Sequence, residues 1–117
     1  MNKRKTGSIA ETRAANYLSE RGVHIIERNF RNRKGEIDLI GYHKGYLVFF
    51  EVKYRSSNRN GTPEEAVSFS KQRQICQVAS FYRYIHNISW QERIRYDVVA
   101  IENDKIRWIQ NAFEHIG

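Results

Sequence analysis

Four residues in one short stretch have types and spacing that suit joint chemistry. In "GEIDLIGYHKGYLVFFEVKYR", residues 35–55, Glu36, Asp38, Glu51 and Lys53 lie inside or at the ends of two apolar runs. The runs flank a turn-like His43-Lys44-Gly45. A two-residue turn at Lys44-Gly45, or a four-residue loop over 43–46, sets Asp38 opposite Glu51 and Glu36 opposite Lys53. Opposed residues of an antiparallel pair share a face, with Cβ atoms roughly 4.5–5.5 Å apart. Two carboxylates so opposed repel, and burying ions in a sheet is costly unless they are compensated. A divalent cation between Asp38 and Glu51 removes the conflict. Hard oxygen ligands that leave positions open to water suit Mg²⁺ or Mn²⁺ better than zinc. The competing reading is a salt-bridge ladder at an exposed end of the sheet.

A metal held there polarises a phosphate oxygen and makes water a better nucleophile. Lys53 would orient that water or offset developing negative charge. Together with a basic surface, this points to phosphodiester hydrolysis. A further carboxylate belongs with the set. Ala14, Ala15 and Leu18 make an apolar helix face, and Glu11 falls in the middle of it. Ser8-Ile9-Ala10-Glu11 is also a capping box, in which Glu11 bonds back to Ser8. Both readings stay open on the residues alone. His24, His43, His86 and His115 show no ligand spacing, and Cys76 reads as a packing residue on a helix. Asp97 interrupts the apolar "RYDVVAI"; a structural ion pair is the favoured reading there, and a site role the lesser one.

The elements that must position these groups follow from caps, turns and periodicity. Ser8 caps a helix that runs to about Arg21, with Gly22 ending it. Residues 23–30 read as a strand and "RNRKG" as a turn. Residues 36–42 and 46–53 form the hairpin. Its second strand is apolar on both faces, with Tyr46, Val48 and Phe50 on one side and Leu47 and Phe49 on the other, so it is central and covered. "SSNRNG" is a loop. Thr62-Pro63-Glu64-Glu65 opens a helix that runs to about His86, with a break near Ser68 or Ser70. Residues 93–101 form a strand, and 105–109 another. The order αβββαβ, with one further strand at the end, implies an α/β sandwich around a mixed central sheet.

The length of 117 residues suits one domain, 1–117, with a core of its own. A 40% hydrophobic, 13% aromatic composition is globular, which excludes a disordered chain. One cysteine excludes an intrachain disulfide and a thiolate cluster. No apolar stretch approaches the roughly 18 residues of a membrane span, and no apolar segment follows the basic N-terminus as a secretory signal requires. The expectation is a soluble cytoplasmic protein without a membrane partner. The net charge of +7 comes from 20 Lys and Arg against 13 Asp and Glu. The positives cluster at 3–5, 28–34 and 53–59, a pattern that suits a polyanion such as nucleic acid. Arg31, Arg33, Lys34, Arg55, Arg59 and Lys71 are the candidate backbone contacts. A solvated basic surface is the plainer alternative.

"GEID" followed after twelve residues by "EVK" resembles the PD-(D/E)xK nuclease pattern, with Ile37 where its proline stands. The chain as a whole resembles the YraN family of small bacterial proteins. The matching features are "GSIAETRAANYLSERG" at 7–22, "RNFR" before "GEIDLI", "FFEVKYR", the helix after "TPEEAV", and "RYDVVAI". They cover nearly the whole chain. The resemblance implies a restriction-endonuclease-like core similar to that of Holliday-junction resolvases. It further implies a Mg²⁺ or Mn²⁺ site at Asp38 and Glu51 aided by the Val52 carbonyl, with Lys53 catalytic. An acid on the N-terminal helix of the resolvase-like branch matches Glu11. Glu36 has no fixed role there, and is read as a supporting group or as Lys53's partner. Gln77-x-x-x-Phe81 lacks the tyrosine of the Q-x-x-x-Y nucleases and takes no role. The implied activity is endonucleolytic cleavage of DNA, including branched or flapped forms, and the implied assembly is a homodimer. The alternatives are a non-catalytic nucleic-acid-binding protein that keeps the nuclease fold, and a protein-interaction module whose charged hairpin is only a ladder.

Overall fold

The computed structural model describes residues 3–55 and 67–117. Helix α1 spans Lys3–Glu20. Strands β1 (His24–Asn32), β2 (Gly35–His43) and β3 (Tyr46–Arg55) follow, then helix α2 (Phe69–Ile85) and strands β4 (Ile94–Glu102) and β5 (Lys105–Phe113). One five-stranded sheet has the order β1-β2-β3-β4-β5. Only the β3–β4 pairing is parallel; the other three are antiparallel. The architecture is therefore α/β around a mixed sheet, as the pattern of elements implies.

The hairpin is built as its turn residues require. Lys44 and Gly45 take φ of 50° and 84°, the paired positive values of a tight primed turn. The register that results pairs His43 with Tyr46 and Leu39 with Phe50. β3 is the middle strand and is buried on both faces. Leu47 and Phe49 pack with Ile40, Val98 and the α2 residues Ile75, Val78, Ala79 and Tyr82. Val48 and Phe50 pack with Leu39, Val99 and the α1 residues Ala10, Ala14 and Leu18. One helix thus covers each face of the sheet. Cys76 is buried within the first of these clusters, as its reading as a packing residue implies. No helix among the described residues is long and apolar enough to cross a membrane.

Several boundaries differ from the sequence reading. α1 starts at Lys3, not Ser8, so Ser8 lies inside the helix and caps nothing. β1 runs on to Asn32 and leaves only Arg33-Lys34 as the turn. β5 continues to Phe113, past the expected end at 109, by way of a register shift between its pairings at Tyr96 and Val98. Ser68 is the N-cap of α2, its side chain accepting from the Lys71 N–H, so the described helix starts at Phe69. The expected helix start at Thr62-Pro63-Glu64-Glu65, the loop at 56–61 and Arg59 lie outside the described residues.

Gly41 shows how closely β1 and β2 approach. A Cβ on it would lie 2.7 Å from the His24 carbonyl oxygen and 3.0 Å from Val23 Cγ1. The first is backbone and cannot swing away. Gly41→Ala is expected to destabilise by about 1–3 kcal/mol, the usual cost of overpacking, with a melting temperature lower by several degrees. An unchanged melting temperature would show that the two strands part easily.

Candidate functional site

The β2–β3 ladder runs only from the turn to Leu39–Phe50. One residue further, where the two strands cease to pair, Asp38 and Glu51 meet. The freed N–H of Val52 donates to Asp38 Oδ2 at 2.7 Å. Glu51 is buried, with 5% of its surface exposed, and Asp38 is half-buried. The site is thus a fork in the sheet, with one carboxylate on each prong. β2 stays paired with β1 through Asn32–Gly35 while β3 continues beside β4.

The electrostatics are those of two acids forced together. Burial pushes the Asp38 carboxyl up, the neighbouring Glu51 charge and hydrogen bond push it further, and the Val52 N–H only partly offsets them; it rises to about 9. Cations answer on the other side. Lys53 Nζ lies 3.6 Å from Glu51 Oε2, and Lys71 Nζ lies 3.9 Å from the same oxygen. Lys53 reaches it from the same face of β3, two residues on. Lys71 reaches it from the first turn of α2.

Glu11 approaches from α1. Burial raises its carboxyl, a hydrogen bond with Asn29 opposes this, and Glu36 and Glu51 add to the rise. With Ser8 inside the helix, the capping-box reading fails and the inward reading holds. Asn29 has φ of 55° in the middle of β1, between the paired residues Arg28 and Phe30. Left-handed backbone within a strand is strained for most residues and least so for Asn. Glu36 does not pair with Lys53. Its partner is Arg31, directly opposite on β1. The strands have already parted, so Lys53 is carried away with β3 while Glu36 stays with β1.

Two open clefts border the fork. One, of about 500 Å³, is lined by Glu11, Asn29, Arg31 and Glu36. The other, of about 430 Å³, shares Arg31 and Glu36 and adds Arg33, Lys34, Lys71 and Gln74. Four of the expected basic contacts therefore converge beside the carboxylates. Arg31 is partly committed to Glu36, and Arg55 stands apart at the end of β3, half-buried. Asn29, Gln74 and the contact of Lys71 with Glu51 had no signal in the sequence beyond residue type, because each depends on closure between distant elements.

Among the described residues, no three His, Cys, Asp or Glu side chains lie close enough to cage an ion. Asp38 and Glu51 are a two-carboxylate set; Glu11 acts on Asp38 through charge, and Glu36 acts on Glu11. Such a set suits Mg²⁺, which keeps several waters and is held by one or two carboxylates plus phosphate. Asp97 is elsewhere. It forms a buried structural ion pair with Arg95, as expected.

The raised Asp38 carboxyl gives a signed stability prediction. Its proton is held more tightly in the folded chain than in the unfolded one. Its contribution is full below the ordinary value of 3.8 and is lost as pH rises towards about 9. The metal-free protein should therefore lose stability between about pH 5 and 8, and Asp38→Asn should remove much of that loss. Asn keeps an oxygen for Val52 and offers Glu51 a donor. Melting temperatures of both proteins across this range test it; parallel profiles would refute it.

The model of the uncharacterised protein family UPF0102 matches residues 10–101. A UPF0102 protein of Lachnoclostridium phytofermentans is 47% identical over 117 residues, covering all of this chain and 99% of its own length. One from Cytophaga hutchinsonii is 46% identical over 100 residues, covering 86% of this chain and 87% of its own. One from Marinobacter nauticus is 43% identical over 116 residues, covering 95% and 94%. The matched span takes in the inward carboxylate of α1, the fork and both of its lysines. The chain belongs to the UPF0102 family, the YraN family to which its helix and hairpin motifs point.

Proposed function

We propose that the protein is a divalent-metal-dependent endonuclease of the PD-(D/E)xK superfamily, with a restriction-endonuclease-like core, that hydrolyses phosphodiester bonds in DNA. The observation that carries this reading is the fork. Asp38 and Glu51 face each other at the parting of β2 and β3, and both Lys53 and Lys71 lie within 4 Å of Glu51 Oε2. A buried and a half-buried acid with two lysines form a poor structural ladder, because the acids repel and the cations crowd on one oxygen. As a site, the same groups have distinct tasks.

Asp38 and Glu51 would hold Mg²⁺ or Mn²⁺, with the Val52 carbonyl as a further oxygen. When bound, the metal supplies charge stabilisation of the phosphoryl group and a more acidic water. Lys53, fixed on the strand, places its ammonium where negative charge develops on the phosphate. Lys71, Arg33 and Lys34 hold the backbone without reading sequence. Glu11 and its Asn29 partner border the cleft on the α1 side.

A second reading is a nucleic-acid-binding protein that keeps this fold without turnover. It is favoured by the small ligand set, two carboxylates with no third among the described residues. Titration calorimetry separates the readings. Mn²⁺ should bind the wild type and fail to bind Asp38→Asn/Glu51→Gln, and tag-free wild type should cleave branched or flapped DNA only with metal. Equal metal binding by both proteins, with and without DNA, would refute the metal site. Metal binding without cleavage of any DNA form would favour the second reading.

A further inference from the structure

The far end of α2 carries a feature that the fork does not use. Trp90 and Tyr84 are the most exposed aromatic side chains of the described residues, at 86% and 80%. Both line one concavity of about 250 Å³, together with Ser80, Arg83, Asn87 and Ile88. The Arg83 guanidinium lies 4.9 Å from the Trp90 ring centre, over its face, and donates to the Ser89 carbonyl. Arg83 Nε is buried without a hydrogen-bond partner among the described residues. Two large rings left in water beside an arginine are a costly surface unless something covers them.

The composition of α2 fits one kind of cover. From Phe69 to Ile85 α2 carries Lys71, Arg73 and Arg83 and no acid, and the next carboxylate in the chain is Glu92. Arg73, Gln77, Ser80 and Tyr84 are all exposed. Their spacing of four, three and four residues puts them in one stripe along the helix. The stripe starts at Arg73, in the first turns of α2 but on the side of the helix away from Lys71, and ends in the aromatic concavity. Its groups are those that contact phosphates, an arginine, an amide and a hydroxyl. Its end offers rings on which a base stacks. A partner protein has no need of a helix without acids; a polyanion does.

We infer that an unpaired strand of the nucleic-acid substrate runs along the outer stripe of α2 and stacks a base on Trp90 and Tyr84. Arg73 and Tyr84, the two ends of the stripe, are eleven residues apart in the helix. At about 1.5 Å per residue the track is roughly 16 Å long, or at most about five nucleotides at the stacked spacing of about 3.4 Å. The substrate class is then a duplex or junction with a single-stranded arm of at least that length, the arm bound at a distance from the cut. This rests on the nuclease reading for the duplex end alone; stacking on Trp90 is a binding event that needs no metal.

The test uses the full-length protein in EDTA. An oligothymidylate of ~12 nucleotides should quench tryptophan emission, and Trp90→Phe should lose that quench while Trp108 still reports the fold. A duplex with a ~12-nucleotide arm should bind roughly tenfold tighter than its blunt form, and Trp90→Ala/Tyr84→Ala should reduce the ratio to about one. Both residues are exposed, so the variants should melt as the wild type does. Absence of a quench, or an arm preference unchanged in the double variant, would overturn the inference. So would a wild-type dimer that Trp90→Ala dissociates, which would assign the patch to a second copy. If the arm preference holds while metal binding and cleavage fail, the nuclease reading falls and this one stands.

Discussion

Lys53→Ala is expected to lower the single-turnover rate of metal-dependent cleavage by about 10²–10³-fold, the usual cost of removing one preorganised charge-stabilising group. The effect should fall on the rate at saturating DNA. Lys53 stands on the central strand, 3.6 Å from Glu51, where the backbone is held by β4 along its whole length. Its ammonium is therefore placed before substrate arrives. Lys71 is held differently. It rises from the first turn of α2, whose N-cap Ser68 accepts its N–H at 3.1 Å, and its side chain spans 3.9 Å to the same carboxylate. Lys71→Ala should cost mainly affinity, reduce the salt slope of DNA binding by about one, and lower the saturated rate far less. The contrast is the content of the prediction. If Lys53→Ala in tag-free protein cleaves at the wild-type rate, the fork is not the active site. If the two variants lose rate equally, the division of tasks between strand and helix is wrong.

The hairpin was readable because its turn chemistry is local. Lys44-Gly45 adopts the positive φ values that a two-residue connection needs, and every pairing back to Leu39–Phe50 follows. The opposition of Asp38 and Glu51 extends that register by one step. Glu36 and Lys53 lie two steps further, and there local register stops deciding. Val52 gives its N–H to Asp38 in place of a ladder, β2 remains with β1, and Arg31 becomes the partner of Glu36. Glu11 was ambiguous for a similar reason. Gly7 lowers helix propensity just before Ser8 and makes Ser8 look like a start, whereas α1 runs through it from Lys3. Packing of Ala10, Ala14 and Leu18 on the sheet outweighs that local cost. Asn29 and Asn111 show the limit most plainly. Each takes φ near 55° in mid-strand. One does so beside Glu11 and the other where its N–H bonds Asp97. Only the folded partners reveal why an asparagine stands there.

Arg95→Ala is expected to destabilise the protein by about 3–5 kcal/mol, more than any change at the fork. Asp97 is fully buried, and its carboxylate accepts from four groups. Arg95 Nε bonds Oδ1 at 2.9 Å and Arg95 Nη2 bonds Oδ2 at 2.8 Å. Trp108 Nε1 bonds Oδ2 at 2.8 Å, and the Asn111 N–H bonds Oδ1 at 2.9 Å. The same Arg95 Nη2 meets His43 Nδ1 at 3.0 Å. Arginine has no acceptor, so that nitrogen of His43 accepts and the ring is neutral. Removing Arg95 strands a carboxylate and an imidazole together in the interior. A melting temperature lower by about 10–20 °C should result at this chain length. Replacing both partners with apolar residues, as in Arg95→Met/Asp97→Leu, should cost much less than Arg95→Ala, because no charge is left uncompensated. The double-mutant cycle measures this directly. A cycle with additive costs would mean that the pair contributes nothing beyond its packing. The distance in chemistry between the two charged centres is then clear. At Asp97 every donor is supplied by the chain itself, and the cluster is closed. At the fork both lysines turn to Glu51 while Asp38 accepts from the Val52 N–H, and burial still raises the Asp38 carboxyl. A neutral substitution at the closed cluster should therefore cost stability, and the same kind of substitution at the fork should gain it.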